Sequence, residues 1–454
     1  MNKFETFRQK FPRFFYHSYE TEETQESLTV TYHFEIEGLS SFSPKWVFPK
    51  RKEDQELTKD NATFKRMLFS LGMVELVSYW KITCSPKVVV EAGSLNEEQI
   101  LWWKHLYYHG QGEFFYTNHI ETDPESFMEL ISVGTEPQGR EVSVETKGCL
   151  VPIGGGKDSA VTIELLKKAG QDCCCYIINP RGATSNTAKA AGFSEEQIKI
   201  ARRTLDKNML ELNKQGYLNG HTPFSALVAF SSTITAYLQG LHYIALSNES
   251  SANESTVKGS TVNHQYSKSF EFESDFHNYE KKWLHSGTYY FSMLRPLSEF
   301  QIAKYFAKCT QYHRIFRSCN AGSKEDIWCG HCPKCLFVYL ILSPFLSTNA
   351  LREIFGRDML EDPEMIPTLE QLAGIQEEKP FECVGSRNEV NTAVCLAIAR
   401  REKAEEALPL LFTYYKNTSL YKTYAPQGDT YSSYWDDEHL LPEVFEKVVR
   451  QECV

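Results

Sequence analysis

The stretch that most constrains this chain is Lys147–Gly170, KGCLVPIGGGKDSAVTIELLKKAG. It reads as strand, glycine loop and helix. Cys149, Leu150, Val151 and Ile153 form a short apolar run with β-branched members. Gly154, Gly155 and Gly156 carry no Cβ, so the turn is free to take positive φ and to approach a ligand closely. Asp158 or Ser159 is expected to cap the helix, Val161, Ile163, Leu165 and Leu166 share one broad face of it, and Gly170 ends it. Free N–H groups and the positive helix end then point at whatever sits over the glycines. That makes an anion site, most naturally for phosphate.

The spacing excludes a Walker loop, which needs four residues between its glycines and then Gly-Lys-Ser/Thr. It also fails the G-x-G-x-x-G dinucleotide pattern, since no glycine follows three residues after Gly156. Gly154-Gly155-Gly156-Lys157-Asp158-Ser159 resembles the Ser-Gly-Gly-x-Asp-Ser loop of the ATP pyrophosphatase (PP-loop) family. Gly154 stands where that family usually has Ser, so one hydroxyl contact is missing. The resemblance implies cleavage of ATP between its α- and β-phosphates and adenylation of a substrate oxygen. Gly154 to Ser159 would hold the phosphates and Asp158 would help position Mg²⁺. The plainer reading is a glycine-rich turn with no ligand.

A chain of 454 residues is too long for one core and suggests two or three domains. A net charge of −11 argues against a nonspecific nucleic-acid binder, which needs a basic surface. It leaves room for an anionic small substrate held by local Lys and Arg. The first twenty residues carry scattered charge and no apolar core, unlike a secretory signal. The longest apolar run, Leu336–Leu342, is far below the ~20 residues that span a bilayer. Thirteen cysteines then point to a reducing, cytoplasmic setting, with thiols free or on metal.

Residues 1–145 read as an α+β domain. Leu28–Ile36 alternates as a strand, and Val74–Thr83 and Lys87–Val90 are strand-like. Ser94–Tyr108 is expected to be helical, with Ser94 and Glu97 as its capping box. Trp80, Trp102 and Trp103 suit packing better than substrate stacking. Glu136–Glu145, rich in Gly, Pro and charge, reads as a linker. Residues 146–345 alternate strand and helix. Cys173–Ile178 is an apolar run suited to an inner parallel strand. Its three adjacent cysteines alternate in direction and cannot share one ion. A helix is expected over Ser194–Leu205, with Gln197 completing a capping box, and another over Phe224–Tyr237. Tyr243–Leu246 is the next strand. The expected core is an α/β doubly wound parallel sheet, whose ligands sit beyond the carboxyl ends of its strands. Residues 346–454 read as mostly helical, with helical period in Thr348–Phe355, Thr368–Ile375, Glu389–Arg400 and Leu440–Val449. The tyrosine-rich stretch Asn417–Tyr434 suits a recognition surface or an ordered loop packed on another domain.

Two stretches follow core strands. The polar segment after Leu246 carries Asn248, Glu249, Asn253, Glu254, Lys258, His264 and Lys268. A polar loop of this length inside a compact domain is uncommon unless functional. Glu249 or Glu254 is a candidate Mg²⁺ ligand, as a hard oxygen donor, and Lys258 or Lys268 can neutralise departing diphosphate. The other stretch is Cys319, Cys329, Cys332 and Cys335, spaced C-x9-C-x2-C-x2-C. Four thiolates satisfy tetrahedral Zn²⁺ with no open position, so the site would be structural. Free thiols or an iron–sulfur cluster would use the same residues. His331 is a weaker candidate than any of the four cysteines.

Glycine loop and cysteine cluster together resemble the 7-cyano-7-deazaguanine synthase branch of the PP-loop family, as does Leu294-Arg295-Pro296-Leu297-Ser298-Glu299-Phe300. That synthase is about half as long. The whole plan, with GGGKDS, the polar NHQYSKSFEFE stretch, the four-cysteine knuckle and Lys379–Ser386 (KPFECVGS), resembles the bacterial UDP-N-acetyl-α-D-muramoyl-L-alanyl-L-glutamate epimerase family. The resemblance implies ATP- and Mg²⁺-dependent inversion of the terminal L-glutamate of a peptidyl nucleotide sugar, a cell-wall precursor, with release of AMP and diphosphate. Asp158, Lys268 and Cys383 are the candidate catalytic residues. Cys383 is singled out as a proton donor or base because thiols serve as cofactor-independent proton shuttles; the plainer reading is a buried thiol in a turn. A PP-loop enzyme modifying a nucleobase or RNA, an amide-forming ligase and a non-catalytic nucleotide sensor remain open alternatives.

Overall fold

The structure is a computed structural model that describes residues 2–51, 59–254, 263 and 266–454. Lys258 and His264 lie outside the described residues. Among the described residues eleven strands form one sheet: β1 Arg13–Glu23, β2 Ser27–Ile36, β3 Ser40–Phe42, β4 Lys45–Pro49, β5 Lys87–Val90, β6 Glu129–Ser132, β7 Cys149–Pro152, β8 Cys173–Ile178, β9 Ile198–Thr204, β10 Tyr243–Leu246 and β11 Tyr289–Ser292. Their spatial order is β11-β10-β7-β8-β9-β4-β2-β1-β5-β6, with β3 on β2. From β11 to β9 every pairing is parallel, whereas β4 meets β9 and β2 antiparallel and β2 meets β1 antiparallel. The architecture is thus a mixed, mostly parallel α/β sheet. It runs unbroken across residue 145.

The parallel strands are buried on both faces, which is why β7 and β8 read as continuous apolar runs. Cys149, Val151, Cys173, Cys175 and Ile177 enter one core with Leu165 and Leu166 of the helix Lys157–Lys168. That core continues into the C-terminal helices. Leu150, Tyr176 and Ile244 enter the opposite core with Phe230 and Ile234 of the helix Phe224–Gln239 and with the N-terminal region. The alternation follows from the two-residue period of a strand.

Several expectations are corrected. Val74–Thr83 is not a strand; it lies mostly in the helix Ala62–Trp80, of which all but Lys65 and Arg66 are buried. A helix apolar all round has no stripe for periodicity to detect. Ser194–Leu205 is not a helix. Ser194 and Gln197 do form a capping box, but it closes one 3₁₀ turn, Glu195–Gln197, and the chain then extends as β9 between β8 and β4. The helix Glu97–Gly110 is capped by Asn96 and Gln99, not by Ser94 and Glu97. Neither Asp158 nor Ser159 caps the glycine-loop helix, since Gly156 is the N-cap and both lie inside the first turn.

Trp80 and Trp103 are fully buried, and Trp102 packs against Tyr279 with ring centroids 4.4 Å apart, so these indoles are packing groups. Residues 346–454 are helical with no strand among the described residues. The tyrosine-rich stretch packs on the helix Glu299–Phe306: Gln301 Nε2 donates to the Tyr434 carbonyl at 2.9 Å, and Lys304 Nζ to Ser432 Oγ at 2.7 Å. No helix among the described residues is long and apolar enough to cross a membrane.

Candidate active site

The strand order reverses at β7, because the chain leaves it for β8 on one side and returns to β10 on the other. A cavity of about 480 Å³ opens there, beyond the carboxyl ends of β7, β8 and β10. Ligands of open α/β sheets occupy this position. Gly154, Gly156, Asp158, Ser159, Asn248 and Lys268 are among its lining residues. The three glycines do different work. Only Gly155 has positive φ, at 85°. A Cβ there would also stand 2.9 Å from the Ala183 Cβ, so the residue has neither angular nor spatial room for a side chain. Its neighbourhood is pinned: the Arg317 N–H donates to the Gly155 carbonyl at 2.8 Å, and the Ala183 N–H donates to Asp326 Oδ1 at 2.9 Å.

Lys157 does not stand free to meet an anion. Its buried ammonium bonds both the Asp158 and Glu299 carboxylates. Burial pulls the Lys157 pKa down, but those two carboxylates outweigh it and hold the group above its ordinary range. Burial likewise opposes ionisation of Asp158, but Lys157, Lys334 and Lys268 outweigh it and keep that carboxyl below its usual range. Glu299 moves the other way, raised chiefly by burial and further by Asp158 and Glu249, against the pull of Lys157. Glu299 opens the helix Glu299–Phe306, and its backbone N–H donates to Glu389 Oε1 at 2.6 Å. Glu389 is itself held by the N–H and hydroxyl of Ser386, each at 2.7 Å. The first turn of the C-terminal helix Arg387–Lys403 is thereby fixed against the core.

Lys268 points its ammonium at Cys383 Sγ, 3.2 Å away. Its pKa is raised, most by Cys383 and then by Glu249 and Asp158, with burial opposing. Behind Lys268 lies Arg295, fully buried and paired with Glu273 at 2.8 Å. Arg295 also donates to the backbone carbonyls of Lys268 at 2.6 Å and Glu249 at 2.7 Å. One guanidinium thus fixes both ends of the polar segment. Its fork of donors suits this in a way that an ammonium would not.

Glu249 is buried, accepts from Ser251 Oγ at 3.2 Å and acts electrostatically on Lys268 and Glu299. Glu254 is committed elsewhere, bonded by Lys379 at 2.5 Å and Arg387 at 3.3 Å. Lys334 bonds the Cys383 carbonyl with its ammonium, and its backbone N–H donates to Glu382 Oε2 at 2.7 Å. Lys334 sits in the first turn of the helix Pro333–Leu342, between Cys332 and Cys335.

The Sγ atoms of Cys319, Cys329, Cys332 and Cys335 all lie within 4.8 Å of one another. Cys319–Cys332 and Cys329–Cys335 are 3.7 Å apart and Cys332–Cys335 3.5 Å. A disulfide needs about 2.05 Å. A tetrahedral ion with metal–sulfur bonds of about 2.3 Å sets its sulfurs roughly 3.8 Å apart. The donor set therefore fits such an ion. The Gly322 N–H donates to Cys319 Sγ at 3.1 Å and the Cys332 N–H to Cys329 Sγ at 3.3 Å, which suits sulfurs carrying negative charge.

The cavity thus brings Gly154, Gly156, Asp158, Ser159 and Lys268 together, with Cys383 joined through Lys268 and Glu249 alongside. Glu254 is diverted to Lys379 and Arg387. Sequence reasoning missed Arg295, Glu299, Glu389 and Lys334 as site residues. Within Leu294–Phe300, the charged pair Arg295 and Glu299 flanking Pro-Leu-Ser is the available signal.

Fold and site define an α/β protein with a ligand cavity over a glycine loop at the reversal point of a parallel sheet. The family model described as the MurL N-terminal domain matches residues 5–293, and that of the MurL C-terminal domain matches 309–419. The chain belongs to the MurL family. It is 36% identical over 358 residues to the UDP-N-acetyl-alpha-D-muramoyl-L-alanyl-L-glutamate epimerase of Xanthomonas oryzae pv. oryzae, covering 77% of this chain and 78% of that one. The identically named protein of a Micromonospora species is 35% identical over 356 residues, 76% of this chain and 77% of its own. That of Salinispora tropica is 35% identical over 343 residues, 74% of each. No solved structure matches the chain.

Proposed function

We propose that this chain is an ATP-dependent isomerase. It would invert the terminal L-glutamate of UDP-N-acetylmuramoyl-L-alanyl-L-glutamate to D-glutamate in the making of a peptidoglycan precursor. The observation that carries the reading is the meeting of the glycine loop with Lys268 in one cavity, together with the contact of Lys268 with Cys383. The names of the relatives supply the substrate. The parallel strand order 3-2-1-4-5, counted from β7, supports a PP-loop core.

Inverting one stereocentre is nearly thermoneutral, so ATP serves the barrier and not the equilibrium. A carboxylate beside the α-carbon resists further negative charge. Its oxygen attacks the α-phosphorus of ATP, the bond to the β-bridging oxygen breaks and diphosphate leaves. The resulting acyl-adenylate is uncharged at the carbonyl and accepts electron density as an enolate. A base takes the α-proton on one face and an acid returns one on the other. Water then adds to the carbonyl and AMP leaves, restoring the carboxylate.

In this scheme the bare amides of Gly154–Ser159 hold the phosphates and Lys268 offsets charge on the departing diphosphate. The Lys268 ammonium also favours an anionic sulfur on Cys383, the form that takes a proton. Mg²⁺, if held by Asp158 and Glu249, would supply positive charge at the phosphates. Zn²⁺ on the four cysteines would be structural, fixing the helix turn that carries Lys334. A reducing, cytoplasmic setting agrees with thirteen cysteines, none of them in a disulfide.

The test is turnover in heavy water with ³¹P detection. AMP and diphosphate should appear only with the peptidyl nucleotide sugar, and the product's α-carbon should carry deuterium. Inversion without nucleotide cleavage, or without deuterium, would overturn the proposal.

A further inference from the structure

A second cluster of metal-ligating side chains lies away from the cavity. His105 and His109 stand one turn apart on the helix Glu97–Gly110, and Glu271 and Asp275 one turn apart on the helix Phe270–Tyr279. The two pairs face each other. His105 Nε2 is 2.8 Å from Glu271 Oε1 and 3.9 Å from Asp275 Oδ2, and these donor atoms all lie within 4.8 Å of one another. The His109 ring centroid is 4.3 Å from that of His105.

We propose that these residues form a divalent-metal site of nitrogen and oxygen donors, separate from the four cysteines. Two observations beyond the cluster carry it. Its helices are fixed by packing: Trp102 Nε1 donates to the Asp275 carbonyl at 3.2 Å, and Trp103 stacks on Phe230 at 5.2 Å. A donor set on rigid elements keeps its shape. All four side chains line one groove of about 790 Å³, so solvent or a ligand can reach an ion there. An imidazole with two carboxylates, and a second imidazole beside the first, suits Zn²⁺, Ni²⁺ or Cu²⁺ better than Mg²⁺. The helix holding Glu271 and Asp275 starts two residues after Lys268 and carries Glu273, the partner of Arg295. An ion bridging the two helices would therefore steady the segment that presents Lys268.

The experiment titrates the full chain with Ni²⁺ and Cu²⁺, reading calorimetric stoichiometry, melting temperature and tryptophan fluorescence. Trp102 and Trp283 line the groove, so Cu²⁺ bound there should quench them. Wild type should bind one equivalent that His105→Ala and Glu271→Gln each weaken by roughly tenfold or more. Cys335→Ser should leave that equivalent and its quenching unchanged. Should His105→Ala misfold by circular dichroism, His105→Gln and Asp275→Asn provide the same reading. Equal Ni²⁺ binding in wild type and the histidine and carboxylate variants, or no binding and no quenching in wild type, overturns the proposal and leaves the cluster a plain ion pair.

Discussion

The Nζ of Lys268 and the Sγ of Cys383 lie 3.2 Å apart although 115 positions separate them in the chain. One comes from the polar segment after β10 and the other from the turn before a C-terminal helix. The candidate site is therefore closed by the C-terminal region.

If Cys383 moves the α-proton, Cys383→Ser should slow inversion by about 10²–10⁴-fold, the usual contribution of a positioned acid or base. Substrate-dependent AMP release should persist, because the nucleotide is held elsewhere. Full inversion by the variant, followed by chiral chromatography of the hydrolysed product, would remove Cys383 from the chemistry.

Asp158→Asn keeps the shape of the side chain but removes its charge. Lys157 retains Glu299 as a partner, so folding should survive. AMP formation should fall by at least ~10²-fold, as when a group stabilising transition-state charge is lost. A coupled assay for AMP reads it. Near-normal cleavage would undo the nucleotide assignment.

Arg295→Met leaves Glu273 buried without its cation. Breaking such a pair costs roughly 3–5 kcal/mol, whereas replacing both partners costs far less. Urea unfolding should show the single variant strongly destabilised and Arg295→Met/Glu273→Gln partly recovered. An unaltered midpoint in the single variant would show that the pair holds nothing in place.

Glu299 also sets a pH dependence. Its carboxyl titrates above its ordinary value of 4.5 in the folded chain, burial being the main cause. Folded protein then holds a proton that unfolded chain has released, so stability falls as pH rises above about 4.5. Lys157 is raised and Asp158 lowered, so neither titrates in that window and neither adds a slope. Glu299→Gln should flatten the decline in denaturation midpoints between mildly acid and mildly alkaline buffer. Parallel curves for the two proteins would contradict it.

Wild type purified without chelator should carry one zinc per chain on the four cysteines, and Cys335→Ser should lose it and melt lower. Elemental analysis with thermal melting checks both. A metal-free wild type that melts like the variant would exclude the structural ion.

What was legible in the sequence was local. The strand–loop–helix of Lys147–Gly170, the cysteine strand β8 and the C-terminal helix over Thr348–Phe355 each declare themselves within twenty-odd residues, because turn chemistry and periodicity act at short range. The four cysteines were legible because their spacing is itself the signal. Burial was not legible. Val74–Thr83 looked like a strand because a helix enclosed on all sides loses its stripe. Ser194–Leu205 looked helical because its capping box is real, while the pairing that extends β9 comes from strands far away in sequence. Arg295, Glu299 and Glu389 are buried only by tertiary structure, Arg295 against Glu273 and Glu299 against Glu389, and nothing local in the sequence announces it.

The antiparallel seam between β4 and β9 has a consequence for anyone dividing this protein. Its ladder joins Lys45, Trp46 and Val47 to Thr204, Arg203 and Arg202. Cutting near residue 145 would strip both strands of a neighbour and leave two raw hydrogen-bonding rims exposed to other chains. Separately expressed halves should clump, and co-expressed halves should find each other along that rim.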